Sequence, residues 1–164
     1  MQRLPDLTAP PAFDSRADTL IHARRVGVLL AEVIAELTER AVTHDASKLE
    51  PPELATFDEY TPKLRDSTYG SPQYREYLHG MGPALAHHYR VNRHHPEHFD
   101  SGVDGMTLTD LVEMLCDWVA ASERHADGNI AHSLALNRER FSLNHQLLRV
   151  LENTCIDHGW MPAE

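Results

Sequence analysis

Apolar residues recur at helical spacing along most of this chain. Leu20, Ile21, Val26, Leu29, Leu30, Val33, Ile34 and Leu37 follow a period near 3.6 and predict a long amphipathic helix that ends near Thr38. Segment 43–60 opens with the pair His44-Asp45, and Pro51 and Pro52 suit the first turn of a short helix bearing Leu54 and Phe57. Residues 61–70 are polar and predict a surface loop. Ser71-Pro72 is a cap followed by a first-turn proline, so a short helix starts there and runs to about 78, where Gly80 and Gly82 punctuate the chain. Pro83 begins another helix, through about 93, which stops near His95 because a residue before proline is driven out of α conformation.

Residues 96–106, with Asp104-Gly105, carry turn chemistry. Thr107 with Asp110 three residues on resembles a capping box, opening a helix that carries Leu108, Leu111, Val112, Met114, Leu115, Trp118 and Val119 and ends before Asp127-Gly128. Two further helical patterns cover 130–140 and, after a Ser142 cap, 143–155 with Leu147, Leu148, Val150 and Leu151. No sustained period-two alternation occurs. The expected fold is all-α, a compact bundle of about six or seven helices, with a Pro-rich tail over 1–14, one domain over 15–157 and a C-terminal tail over 158–164.

Composition narrows the function. The chain has 164 residues and 41% hydrophobic content, enough for one domain without disulfide staples. Its formal net charge of -10 repels a polyanion, so no polymeric nucleic acid is expected as a partner. Cys116 and Cys155 form no CxxC pair, and the greasiest stretch, 26–37, is broken by Glu32 and Glu36. Reduced thiols, a cytoplasmic setting and no membrane insertion are the expectation. The helix at 143–155 and Trp160-Met161 offer a surface for self-association.

Histidine is abundant: of 12 in the chain, six fall within 79–98. On the helix opened by Pro83, His88, Asn92 and His95 stand at i, i+4 and i+7 and share a face if helical geometry persists, whereas His94 points elsewhere unless the end frays. Glu113 and Asp117 are i and i+4 beside an apolar stripe and can reach inward. With His22 and the His44-Asp45 pair, His88, His94, His95 and Asp117 are the side chains a divalent transition metal takes, since imidazole nitrogen with carboxylate oxygen suits Zn, Mn, Fe, Co or Ni where an oxygen-only set suits Mg or Ca. Taken singly, His22 reads as a helix histidine packed by its stem and Asp117 as a solvated carboxylate. The order of all of them together is rarer.

That ordered set, His22, His44-Asp45 and Asp117, resembles the HD-domain superfamily of metal-dependent phosphohydrolases, helical bundles in which H…HD…D ligate metal. More narrowly, "HDASKLEPPELATFDEY", "HHYRVNRHHPEHF" and "LVEMLCDW" resemble segments of an HD-like family of bacteria and phages that has no established activity. The resemblance implies an HD-domain-like fold, a first metal shell of His22, His44, Asp45 and Asp117, and a second ion on His88 with His95 or His94. Lys48 resembles the lysine of the HDxxK variant, which meets an anionic or hydroxylated substrate. Nucleotidase branches carry an acid there, which leaves Glu50 and Glu53 as weaker acid candidates, and "PEHFDSGVDGM" replaces the Gly-Tyr-Pro extension of the cyclic-dinucleotide enzymes.

The activity so implied is hydrolysis of a small phosphorylated substrate, a nucleotide first among the classes, by a hydroxide generated on one or two ions. Asp45, Lys48 and His94 are the expected catalytic residues, with Asp45 accepting a hydrogen bond from the attacking water and His94 as acid for the leaving oxygen. Lys48, Arg90, Arg93, Arg124 and Glu53 are the expected substrate contacts. Two other classes fit the same residues: a di-iron oxygenase of HD type, and a non-enzymatic helical module whose ion only fixes the bundle.

Overall fold

The computed structural model describes residues 14–68, 70–124 and 128–162. Among them are six α-helices and no strand: α1 (Arg16–Thr43), α2 (Leu54–Arg65), α3 (Pro72–Val91), α4 (Leu108–Ser122), α5 (Ile130–Phe141) and α6 (His145–Asp157). Short 3-10 turns stand at Ala46–Leu49, Pro96–His98 and Gly102–Gly105. The all-α class is as expected. The Pro-rich tail, apart from Asp14, and residues 163–164 lie outside the described residues, as does the Asp127 of the predicted helix stop.

The chain divides into two compact units, Met1–Glu36 and Leu37–Glu164. The described part of the first is the leading portion of α1, none of whose residues is buried. Leu20 (70%), Ile21 (69%) and Ile34 (61%) are exposed on it. The helix forms because straight-chain and alanine positions dominate and no proline or mid-helix cap interrupts it.

The second unit holds the core. Met114, Leu115, Trp118 and Val119 of α4 pack with Ile130 and Leu134 of α5, Leu143, and Leu148, Leu151 and Cys155 of α6. The four α4 positions are i, i+1, i+4 and i+5, a single stripe of the helix. Trp118 stacks on Phe141, centroids 6.0 Å apart and planes at 5°. The C-terminal stretch is no free tail: Trp160 and Met161 both donate their backbone N–H to the Cys155 carbonyl, at 2.8 and 3.2 Å, and Met161 packs on the core. The inward stripe of α6 is thus used within the chain, leaving Val150 and Trp160 outward.

Several boundaries differ from the sequence pattern, each for a local reason. Pro51 and Pro52 lie in the turn before α2, which begins at Leu54. Residues 61–65, expected as loop, continue α2 through Pro62; so near the helix end a proline forfeits only one amide bond. The break at the glycines is as the pattern predicts: Gly82 is non-helical, φ 43° and ψ -118°, a backbone that only glycine adopts easily, so α3 is two helical stretches that meet at a kink, the second opening at Pro83. Ser142 is the left-handed C-cap of α5 (φ 53°), and Asn144 caps α6 by accepting from Leu147 N at 2.9 Å.

Ser71 caps α3 as the pattern predicts, and so does the capping box at α4: Asp110 N donates to Thr107 Oγ1 at 3.2 Å while Asp110 Oδ2 accepts from Thr107 N at 2.8 Å. Thr107→Ala is expected to lower the stability of the second unit by about 1 kcal/mol, read from the urea midpoint at unchanged m-value. An unshifted midpoint would show the box to be energetically idle.

Candidate metal centre

Three stretches of the second unit bring the polar cluster together. The first follows α1, where Asp45 takes left-handed backbone angles (φ 57°, ψ 12°) and opens the turn Ala46–Leu49. Aspartate is among the few non-glycine residues that visit this region at modest cost. The second is the end of α3 and the turn after it. The helix stops at Val91, its C-cap Asn92 extended, so the i, i+4, i+7 relation does not reach His95. That early stop is what lets both His94 and His95 turn towards His88. The third is one face of α4, on which Asp110, Glu113 and Asp117 follow at i, i+3 and i+7.

Asp45, His88, His94 and His95 each offer one ligand atom within 4.8 Å of the others. Asp45 Oδ1 lies 3.3 Å from His88 Nε2 and 3.5 Å from His94 Nε2, and the Nε2 atoms of His88 and His95 are 2.9 Å apart. Two ligands at about 2.0 Å from a tetrahedral ion stand about 3.3 Å from one another, so these spacings are those of a coordination shell. Among the described residues only three buried side-chain atoms lack a hydrogen-bond partner, and Asp45 Oδ1 and His94 Nε2 are two of them. Buried polar atoms are costly to leave unpaired, and a cation between them satisfies both.

A second, outer group consists of His44, Asp45 and Asp117. His44 Nε2 is 3.6 Å from both Asp45 Oδ2 and Asp117 Oδ1. His44 and Asp117 retain 29% and 24% side-chain exposure, whereas His88 and His94 keep 2%. Asp45 faces the inner group with one oxygen and the outer with the other, and Lys48 Nζ donates to Oδ2 at 2.5 Å.

The ring orientations are set by two carboxylates. Glu53, fully buried, accepts from His87 Nδ1 at 2.7 Å, His88 Nδ1 at 2.9 Å and Ser47 Oγ at 3.0 Å. Asn92 Nδ2 ties the same corner by donating to Ser47 Oγ at 2.8 Å and to the His88 carbonyl at 2.9 Å. Glu113 Oε1 accepts from His44 Nδ1 at 3.0 Å and lies 3.3 Å from His94 Nδ1. A carboxylate on Nδ1 holds the proton there and leaves Nε2 as a lone pair, the arrangement metal-ligating histidines use.

The electrostatics separate the inner rings from His44. Burial pushes the pKa of His88 down, with the Lys48 charge adding to it, and burial with the neighbouring His94 and His88 does the same to His95, so both are neutral donors. His44 goes the other way: hydrogen bonds to Asp117 and then Glu113 raise it to about 10. Burial favours the protonated form of Glu113, but His44, His94 and Arg40 together hold it well below the usual carboxylate range. The whole corner attracts positive charge.

Of the residues expected from sequence, His44, Asp45, His88, His95 and Asp117 come together, and both His94 and His95 join them. His22 is exposed in the first unit and belongs to none of these groups. Lys48 stands beside Asp45. Glu53 is turned inward as a histidine anchor, with no surface for substrate. Arg93 is bound through Nε and Nη2 to Asp110 at 3.0 and 2.9 Å, so its fork is already occupied by a buried carboxylate. Arg90 and Arg124 are exposed and take no part in the ion pairs around the cluster. Sequence reading did not assign His87, Glu113 or Arg40 a place here; the i, i+4 relation of Glu113 to Asp117 was the one signal available.

The fold and cluster define an all-α protein with a histidine and carboxylate group able to hold a metal ion. Residues 12–157 match a protein family described as a family of unknown function, DUF5662, and the chain belongs to that family. No curated protein and no solved structure matches it.

Proposed function

We propose that this protein is a metal-dependent phosphohydrolase of HD type, acting on a small phosphorylated molecule, with nucleotides the first class to test. One observation carries the reading: Asp45 Oδ1 and the Nε2 atoms of His88, His94 and His95 converge at ligand spacing, two of them with no other partner. The donor set suits Mn, Fe, Co, Zn or Ni. When bound, a divalent ion makes water acidic enough to attack phosphorus at neutral pH. Asp45 links the inner and outer groups, His44 and Asp117 are reachable from solvent, and Lys48 brings positive charge to the edge where an anion would approach. Both ring nitrogens of His94 face carboxylates, so we assign it a ligand's place and not that of the leaving-group acid. The HD resemblance is supported by the meeting of His44, Asp45 and Asp117.

A second reading, an ion that only fixes the bundle, is favoured by the near-complete burial of His88 and His94, since structural sites are closed. No helix among the described residues is long and apolar enough to cross a membrane, and a cytoplasmic setting with Cys116 and Cys155 as free thiols belongs to the same proposal. Elemental analysis of the purified full chain, followed by phosphate release from a nucleotide panel with each metal, tests it. Bound metal with phosphate release is the expected result. Oxygen uptake with iron loaded would replace it with an oxygenase, bound metal with neither would make the ion structural, and no metal at all would refute the whole reading.

A further inference from the structure

Arg40, on the last turn of α1 and within the second unit, bridges two carboxylates: Nη1 donates to Asp110 Oδ1 at 2.8 Å and to Glu113 Oε2 at 3.0 Å. Glu113 turns its other oxygen to the Nδ1 atoms of His44 and His94. Asp110 is fully buried and also accepts the Arg93 fork and both the N–H and Oγ1–H of Thr107, at 2.8 Å each. One side chain therefore holds the arginine that sets Glu113 and the arginine next in sequence to His94. Neither Asp110 nor Arg40 belongs to a ligand group.

The arrangement has a chemical purpose beyond packing. His44, His94 and Glu113 themselves lie close enough to share an ion through a different set of atoms. A carboxylate free to rotate would offer that competing site. With Arg40 on Oε2, Glu113 is neutralised and kept on the imidazole N–H groups.

We infer that Arg40 and Asp110 are positioning residues for the metal centre: they hold Glu113 so that His44 and His94 present Nε2 towards Asp45, and they keep Glu113 from becoming a ligand. This rests on reading the cluster as a metal site. The test is a cobalt(II) titration of the full chain, following both affinity and the visible absorption of the bound ion. Arg40→Met is expected to weaken cobalt binding by about 10- to 100-fold and to change the band shape as Glu113 enters the coordination. Thr107→Ala, which loosens the α4 cap but leaves both arginines paired, is expected to lower Tm and keep the wild-type spectrum and affinity. If Arg40→Met fails to fold, Arg40→Lys decides, with an affinity below that of the wild-type chain expected. Wild-type affinity and spectrum in the Arg40 variant overturn the inference, as does an equal affinity loss in Thr107→Ala at equal Tm. Absence of cobalt binding by the wild-type chain refutes the metal reading itself and this inference with it.

Discussion

Asp45→Asn is expected to abolish tight metal binding while the helices stay intact. The backbone at this position is left-handed, φ 57°, and asparagine is one of the few residues that tolerates it, so the substitution changes the chemistry with little strain. It removes the one carboxylate that faces both ligand groups, and it can turn an amide N–H towards the lone pairs of His88 and His94, which lie 3.3 and 3.5 Å from Oδ1. The variant gives up a costly buried atom, Oδ1, and strands the half-buried Lys48 ammonium, two effects of opposite sign in the absence of metal. The dissociation constant is expected to rise at least about 100-fold, beyond the upper range for removing an outer partner of a ligand. At a zinc concentration about 1,000 times the wild-type constant, stabilisation by the ion falls from about 4 to about 1.4 kcal/mol, read as the Tm difference with and without zinc. An undiminished Tm shift in the variant would remove Asp45 from the site.

The helices were legible because each buries one stripe, and a stripe writes a 3.6-residue period into the chain. Leu115, Trp118 and Val119 show it, and so does the Thr107 to Asp110 box, whose signal lies within four residues. Boundaries failed where two capping residues compete: Ser142 and Asn144 are both credible caps, and only the left-handed turn at Ser142 decides for the second. Of the site, the ligand residue types and their clustering were visible. The partnerships were not, because they join positions 34 to 73 residues apart: Glu53 to His87 and His88, Arg40 to Asp110 and Glu113, Glu113 to His44. Nothing periodic marks such a pair. For the same reason Glu53 and Arg93 read as substrate contacts in sequence, since an acid or a base beside a histidine run looks the same whether it faces solvent or a buried partner.

Glu53→Gln tests the centre from its buried side, through proton placement and not through loss of a ligand. As a carboxylate, Glu53 accepts from three donors at once, and burial, which favours its neutral form, is outweighed by hydrogen bonds from His87, Ser47 and His88 that hold its pKa below the ordinary value. A glutamine of the same shape keeps one acceptor and presents two donors. One of the two imidazoles must then accept at Nδ1 and carry its proton on Nε2. In the buried corner His88 is the ring with an alternative ready, because Ser47 Oγ already lies 3.3 Å from its Nδ1. A protonated Nε2 on His88 cannot ligate and donates instead to His95 Nε2 at 2.9 Å, so the inner group loses the lone pairs of both rings. Metal affinity is expected to drop by about 10- to 100-fold, with a loss of stability of about 1 to 3 kcal/mol from the mispaired buried groups. Long-range nitrogen-proton correlation spectra of the histidine rings give the direct check: the wild-type chain is expected to show His88 protonated at Nδ1, and the variant to show it protonated at Nε2. An unchanged tautomer together with unchanged metal affinity would mean that Glu53 holds the fold and does not govern the ring.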